Sequence, residues 1–213
     1  MSTFYTKIKS VSAKAAILAV LALSLTMLLP MHAAADGHGD CGDPFTAIYD
    51  IQGDGEESGF HGDTVVTEGI VTVDLQQGSE LSGFFIQAVS GDGDPATSDG
   101  LFVYHRDYWN PSFDPSVGDL VRVQGTIDEH YGQTQMEFLD AAAICDTGLE
   151  PEATTVFARE FNANPESYEG MYVRFPRPMA VTDTYNLHVF GEVWLGDNFF
   201  DLPPGAAHEV ILH

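Results

Sequence analysis

Two segments of the chain open alike: Gly62-Asp63-Thr64-Val65 reaches Gly69 seven residues after its first glycine, and Gly118-Asp119-Leu120-Val121 reaches Gly125 at the same spacing. A Gly-Asp start reads as a turn feeding a strand, and a glycine in mid-strand lets that strand coil sharply, as small closed barrels require. The run 64–75 is dense in Thr and Val, and further strand-like runs occupy 83–89, 101–105, 120–129 and 134–144. Turn-rich stretches separate them, among them Gly91-Asp92-Gly93-Asp94-Pro95 and His130-Tyr131-Gly132-Gln133. No 3.6-residue period is sustained until about 158–168.

Five strands with kinked first and fourth members predict a mainly β chain: a five-stranded OB-like barrel over 47–146, then a smaller β-rich segment with one short helix over 147–213, read as a second unit of the same kind cut short. An immunoglobulin-like sandwich is the alternative, but it wants about seven strands and a buried Trp between the cysteines. Trp109 lies between them in a loop, beside Asn110-Pro111. With 44% hydrophobic and 11% aromatic residues the chain is too apolar for a disordered acidic tail, and 19% charged residues disfavour a coiled coil.

Residues 1–35 read as a secretory signal peptide: Lys7, Lys9 and Lys14 precede an apolar run over 15–29, and Ala33-Ala34-Ala35 offers the small residues a signal peptidase needs. An uncleaved anchor is the alternative, although the run is shorter than the ~20 residues of a spanning helix. The segment 36–46 leads into the barrel. The whole chain carries 32 acidic against 8 basic residues, a net charge of -24. Cleavage after Ala35 leaves Arg106, Arg122, Arg159, Arg174 and Arg177 against the same 32 acids, so the net charge falls to -27 on a lysine-free protein. A basic nucleic-acid clamp is excluded at the level of bulk charge. So dense a field of one sign favours a saline or cation-rich exterior, where salt screens self-repulsion. Export gives Cys41 and Cys145 an oxidising compartment and predicts one disulfide, with two free buried thiols as the alternative.

Alternation along 83–87 sends Phe84 and Ile86 inward and Phe85 and Gln87 outward; along 101–104 it sends Leu101 and Val103 inward and Phe102 and Tyr104 outward. Strands two and three form the ligand face of an OB barrel, where rings stack on bases. Phe85, Gln87, Phe102 and Tyr104, with Gln135, are the candidate nucleic-acid platform; the other reading packs the phenylalanines under a neighbouring loop or domain. Asp92, Asp94 and Asp99 gather three carboxylates in one loop as the best candidate for Ca²⁺ or Mg²⁺, although the register of an EF-hand fails at Ala96 and Thr97. Asp36-Gly37-His38-Gly39-Asp40 offers imidazole and carboxylates to a metal such as Zn²⁺, and Asp128-Glu129-His130 reads as solvated turn surface. Arg174 and Arg177, with Arg106, are the cations available to phosphate.

The ordered motifs Tyr49-Asp50-Ile51-Gln52-Gly53, Gly69-Ile70-Val71-Thr72, Gly83-Phe84-Phe85-Ile86-Gln87, Asp92-Gly93-Asp94-Pro95 through Gly100-Leu101-Phe102-Val103-Tyr104, Gly118-Asp119 and Thr134-Gln135 resemble the OB-fold-like domain of large secreted bacterial nucleases of the ExeM/NucH (YhcR-like) type. The similarity runs from about Cys41 to Asp146 and continues more weakly through Tyr168-Glu169-Gly170-Met171-Tyr172-Val173-Arg174-Phe175 and Tyr185-Asn186-Leu187 to Gly191-Glu192-Val193. The resemblance implies an exported accessory domain, secreted or periplasmic, that helps a partner nuclease handle extracellular DNA or RNA. Phosphates approaching so acidic a surface need bridging cations, so binding is expected to demand Ca²⁺ or Mg²⁺. In those nucleases a separate endonuclease/exonuclease/phosphatase domain holds the metal and activates water. Gly196-Asp197-Asn198-Phe199 departs from that domain's Gly-Asp-x-Asn motif and no Ser-Asp-His occurs, so no catalytic residue is carried over and the chain is expected not to be an enzyme. The ending Leu202-Pro203-Pro204-Gly205 also leaves the pattern, as expected of a truncated product or a stand-alone module. The rival reading is a structural or protein-interaction domain whose aromatic face packs on a partner.

Overall fold

The computed structural model describes residues 38–77, 81–105, 112–185, 187–190, 193–196 and 210–212. The expected targeting segment 1–35 lies outside the described residues, as do Asp36, Gly37, Arg106, Trp109, Asn110, Pro111, Asn186, Gly191, Glu192, Asp197, Asn198, Phe199 and the stretch 202–205.

The five expected strands form: β1 (Thr64–Leu75), β2 (Gly83–Gln87), β3 (Gly100–Tyr104), β4 (Leu120–His130) and β5 (Gln133–Asp146). They close into a barrel in the order β1-β2-β3-β5-β4, with β4 returning to β1. Every pairing is antiparallel except β3 with β5, which is parallel and joined through two residue pairs, Phe102 with Gln135 and Val103 with Met136. The inward side chains Phe84, Ile86, Leu101 and Val103 meet Val71, Val121, Val123, Ile127 and Met136 in one core cluster, so the alternation read from the sequence holds on both central strands.

The repeated Gly-Asp openings are related across the β1–β4 ladder. Val65 pairs with Gly125 and Gly69 with Val121, so each kinking glycine sits opposite a valine of the other strand. Gly62 N–H donates to the Ile127 carbonyl while Ile127 N–H donates to Asp63; Gly118 N–H donates to Val71 while Val71 N–H donates to Asp119. Each turn thus clamps the far end of its partner strand, and both turn glycines take positive φ, 84° at Gly62 and 91° at Gly118. At Gly69 the missing Cβ admits Ile48, which would otherwise stand 3.0 Å from it.

Ile48 belongs to α1 (Ile48–Gln52), a short helix ahead of the barrel that the periodicity does not predict; its Ile48 and Ile51 are fully buried in the core. After the barrel come β6 (Thr154–Thr155), α2 (Ala158–Ala163), a 3-10 turn (Glu166–Tyr168) and β7 (Val173–Arg174), with β6 and β7 parallel. The helical period over 158–168 is therefore split, because Asn164 precedes Pro165 and is pushed out of the helical region. Beyond lie β8 (Ala180–Asp183), α3 (Leu187–Phe190), β9 (Val193–Gly196) and β10 (Val210–Leu212), the three strands forming an antiparallel sheet. Among the described residues no helix is long and apolar enough to cross a membrane.

Cys41 and Cys145 are disulfide-bonded. Beside the bridge, Arg122 lies fully buried opposite Glu68 on the β1–β4 ladder, and its Nη1 donates to Glu68 Oε1 at 2.7 Å. The same guanidinium donates to the carbonyls of His38, Asp43 and Pro44, while Gly42 N–H donates to Glu68. An N-terminal strap, residues 38–44, is thereby tied to the outside of the barrel.

Candidate functional site

The outer face of β2 and β3 carries the expected platform residues, but the chain itself covers most of it. Phe102 is 5% exposed, Gln87 9% and Gln135 3%. Phe102 lies over Gly83, where a Cβ would run into its ring, and packs on Phe85 at 4.8 Å between ring centroids. Gln87 Nε2 donates to the Glu152 carbonyl at 3.1 Å and its Oε1 accepts from Tyr172 N–H at 2.8 Å. Gln135 donates to the Glu137 carboxylate. Phe85 and Tyr104 remain partly exposed. The open stacking platform is thus corrected at Phe102, Gln87 and Gln135, which are buried, and at Gln87 a C-terminal strap, residues 150–172, sits where a ligand was expected.

Glu169 is the strap's main anchor. Its Oε1 accepts from Thr134 N–H at 2.8 Å and from Gln52 Nε2 at 3.4 Å, and its carbonyl accepts from Ser98 Oγ at 2.6 Å. Burial, reinforced by the nearby Glu166 and Glu129 carboxylates and partly offset by the hydrogen bonds from Thr134 and Gln52, pushes its carboxyl up to about 8. It is therefore largely protonated at neutral pH. Burial also raises Glu166, against a hydrogen bond with Glu169 that pulls it back. Neither Glu169 nor Glu166 stands out in the sequence as a site residue, because nothing local marks Glu169 as buried.

Asp92, Asp94 and Asp99 do not form a group of ligand atoms within 4.8 Å of one another. Asp92 accepts from Asp94 N–H and Thr97 Oγ1, Asp94 accepts from Ala96 N–H, and burial followed by repulsion from Asp92 raises Asp99. These bonds make the loop a chain of Asx turns rather than a cage. The tripeptide Asp128-Glu129-His130 is divided by the pleat: Glu129 points to the other side, where it accepts from Ser58 N–H and Thr134 Oγ1, so it is not solvated turn surface. His38, from the expected N-terminal metal cluster, instead contributes its carbonyl to Arg122.

A different feature emerges after the barrel. Both parallel strands run into the same tripeptide pattern, Phe157-Ala158-Arg159 after β6 and Phe175-Pro176-Arg177 after β7. Pairing of Thr154 with Val173 and Thr155 with Arg174 brings the two patterns side by side, where with Met179 they line a groove of about 260 Å³. That is just below the ~300 Å³ at which pockets for drug-sized ligands begin, a size suited to one ring at a time. Phe175 is backed by Phe161, which stacks in turn on Tyr168, and Phe157 is half exposed. Arg159 is almost fully solvated, its link to Glu160 stretched to 3.8 Å and worth little, and Arg174 donates to Thr155 Oγ1.

The charge of this region differs from that of the rest. Residues 153–179 hold three arginines against three glutamates, whereas 36–152 hold two arginines against 24 acids. With Glu169 protonated, the first region is slightly positive at neutral pH. The Phe-x-Arg repeat is visible in the sequence, but only parallel pairing shows that its two copies meet. No family model matches the chain, and no curated protein or solved structure does.

Proposed function

We propose that the protein is an exported, non-catalytic accessory module of the kind associated with extracellular nucleases, and that it binds single-stranded nucleic acid at the Phe157–Arg159–Phe175–Arg177 groove. The observation that carries this reading is the convergence of the two Phe-x-Arg tripeptides in one groove, in the single stretch where arginines balance acids. Rings give sequence-tolerant stacking, and guanidinium groups meet the phosphates between bases. The disulfide is compatible with export to a secreted or periplasmic setting. DNA or RNA reaching the groove passes a strongly acidic barrel, so millimolar Mg²⁺ or Ca²⁺ strengthens the approach by screening and bridging.

The test is fluorescence anisotropy of labelled single-stranded DNA and RNA with the protein recovered after export, at low and high NaCl, with and without millimolar divalent cation. Binding should be weak, and its salt slope should reflect two or three phosphate contacts at ~0.7 per contact. Arg159→Ala with Arg177→Ala should abolish it while leaving thermal melting unchanged. No binding in any of these conditions, or equal binding by the double variant, overturns the proposal. The first outcome would favour the second reading, a structural or protein-interaction domain.

A further inference from the structure

On the hairpin β4–β5 the turn residues Tyr131 and Gly132 both take positive φ, 55° and 85°, the conformation of a tight two-residue hairpin turn. This turn fixes the register: Asp128 opposite Gln135, His130 opposite Gln133 and Thr126 opposite Glu137. Because Ile127 and Met136 face the core, Asp128, His130 and Glu137 share the outer face. Their ligand atoms, an imidazole nitrogen and two carboxylate oxygens, lie within 4.8 Å of one another. A fourth donor arrives from a separate stretch of chain ahead of β1, with His61 Nε2 standing 3.6 Å from Asp128 Oδ1.

We infer that Asp128, His130 and Glu137, with His61, form a site for one divalent transition-metal ion of the Zn²⁺ class. Four donors of two kinds, two imidazoles and two carboxylates, suit a borderline ion; Ca²⁺ and Mg²⁺ prefer oxygen alone. Donors around a tetrahedral ion at ~2.1 Å stand roughly 3.4 Å apart, so side-chain rotation on this half-open surface closes the remaining distance. Among the described residues no arginine pairs with either carboxylate: Arg122 is buried on Glu68, Arg159 reaches Glu160, and the partner provided to Asp128 is itself an imidazole. Gln135 Nε2 donates to Glu137 and orients that carboxylate from beneath. The site shares no residue with the Phe-x-Arg groove and does not depend on nucleic-acid binding.

Isothermal titration of the exported protein with Zn²⁺, alongside Ca²⁺ and Mg²⁺, tests the assignment, with His38→Ala as the background so that the N-terminal imidazole does not compete. One equivalent of Zn²⁺ should bind, at least tenfold tighter than Ca²⁺ or Mg²⁺. His130→Asn and Glu137→Gln should each weaken binding at least tenfold, and His61→Asn less, with circular dichroism and melting of the metal-stripped variants unchanged. Co²⁺ substitution should give a visible absorption band that His130→Asn removes. No Zn²⁺ binding up to about 1 mM, or full affinity in both His130→Asn and Glu137→Gln, overturns the inference.

Discussion

Two straps lie on the outside of the same barrel, and they are fastened by opposite chemistry. The N-terminal strap is held by a covalent bridge and a fully buried guanidinium that serves Glu68 and three carbonyls at once. The C-terminal strap is held by neutral groups: the Gln87 amide, the Ser98 hydroxyl and a carboxyl that is protonated at neutral pH. The first fastening is all-or-none, since a buried ion pair that loses one partner leaves an uncompensated charge. The second is a set of separable bonds, each worth about 1 kcal/mol. Permanence has been placed at one end of the chain and adjustability at the other.

The contrast breaks most severely at Arg122. Arg122→Ala should cost about 3–5 kcal/mol in urea unfolding, because Glu68 stays buried and the carbonyls of His38, Asp43 and Pro44 lose their donor. A loss under 1 kcal/mol would show that the N-terminal strap is no more firmly held than the other. Gln87→Ala should cost about 1–2 kcal/mol, leaving the Glu152 carbonyl and Tyr172 N–H without this partner. Hydrogen exchange should then speed up at Tyr172 while the β1–β4 ladder keeps its protection.

Glu169 sharpens the comparison with a graded effect, a tilt with pH rather than a single loss. Its folded value of about 8 lies above its ordinary 4.5, so the native state holds the extra proton between those limits. Its contribution is full below pH 4.5 and is lost as pH rises through 8, opposite in sign to a carboxylate stabilised by a cation. Melting temperature should fall with pH across this window by roughly three to five degrees per unit. Glu169→Gln, neutral at every pH, should flatten that slope; an unchanged slope would place the titration elsewhere.

The barrel was legible because its determinants are local. Thr and Val density, the pleat and the paired Gly-Asp turns each act within a dozen residues, and β1 has the bounds read from the sequence, Thr64–Leu75. The cover over Gln87 was not legible, because its partners lie 65 and 85 residues along the chain. Helix α1 escaped notice because five residues are too few to show a period. The hairpin donors fell between these cases. Asp128 and His130 were noticed, but only the register imposed by Tyr131 and Gly132 places Glu137 beside them.

The parallel joint between β3 and β5 has two residue pairs, the shortest in the barrel, and the C-terminal strap lies across it. Glu169 holds Thr134 on the β5 side, Ser98 enters just before β3, and Gly100 approaches Gly170 so closely that a side chain there would overlap its backbone. Without this suture the joint would present two sheet edges, each a template for a strand from another molecule. Loosening the strap is therefore a route to intermolecular association, against which the buried amide and carboxyl groups act as guards.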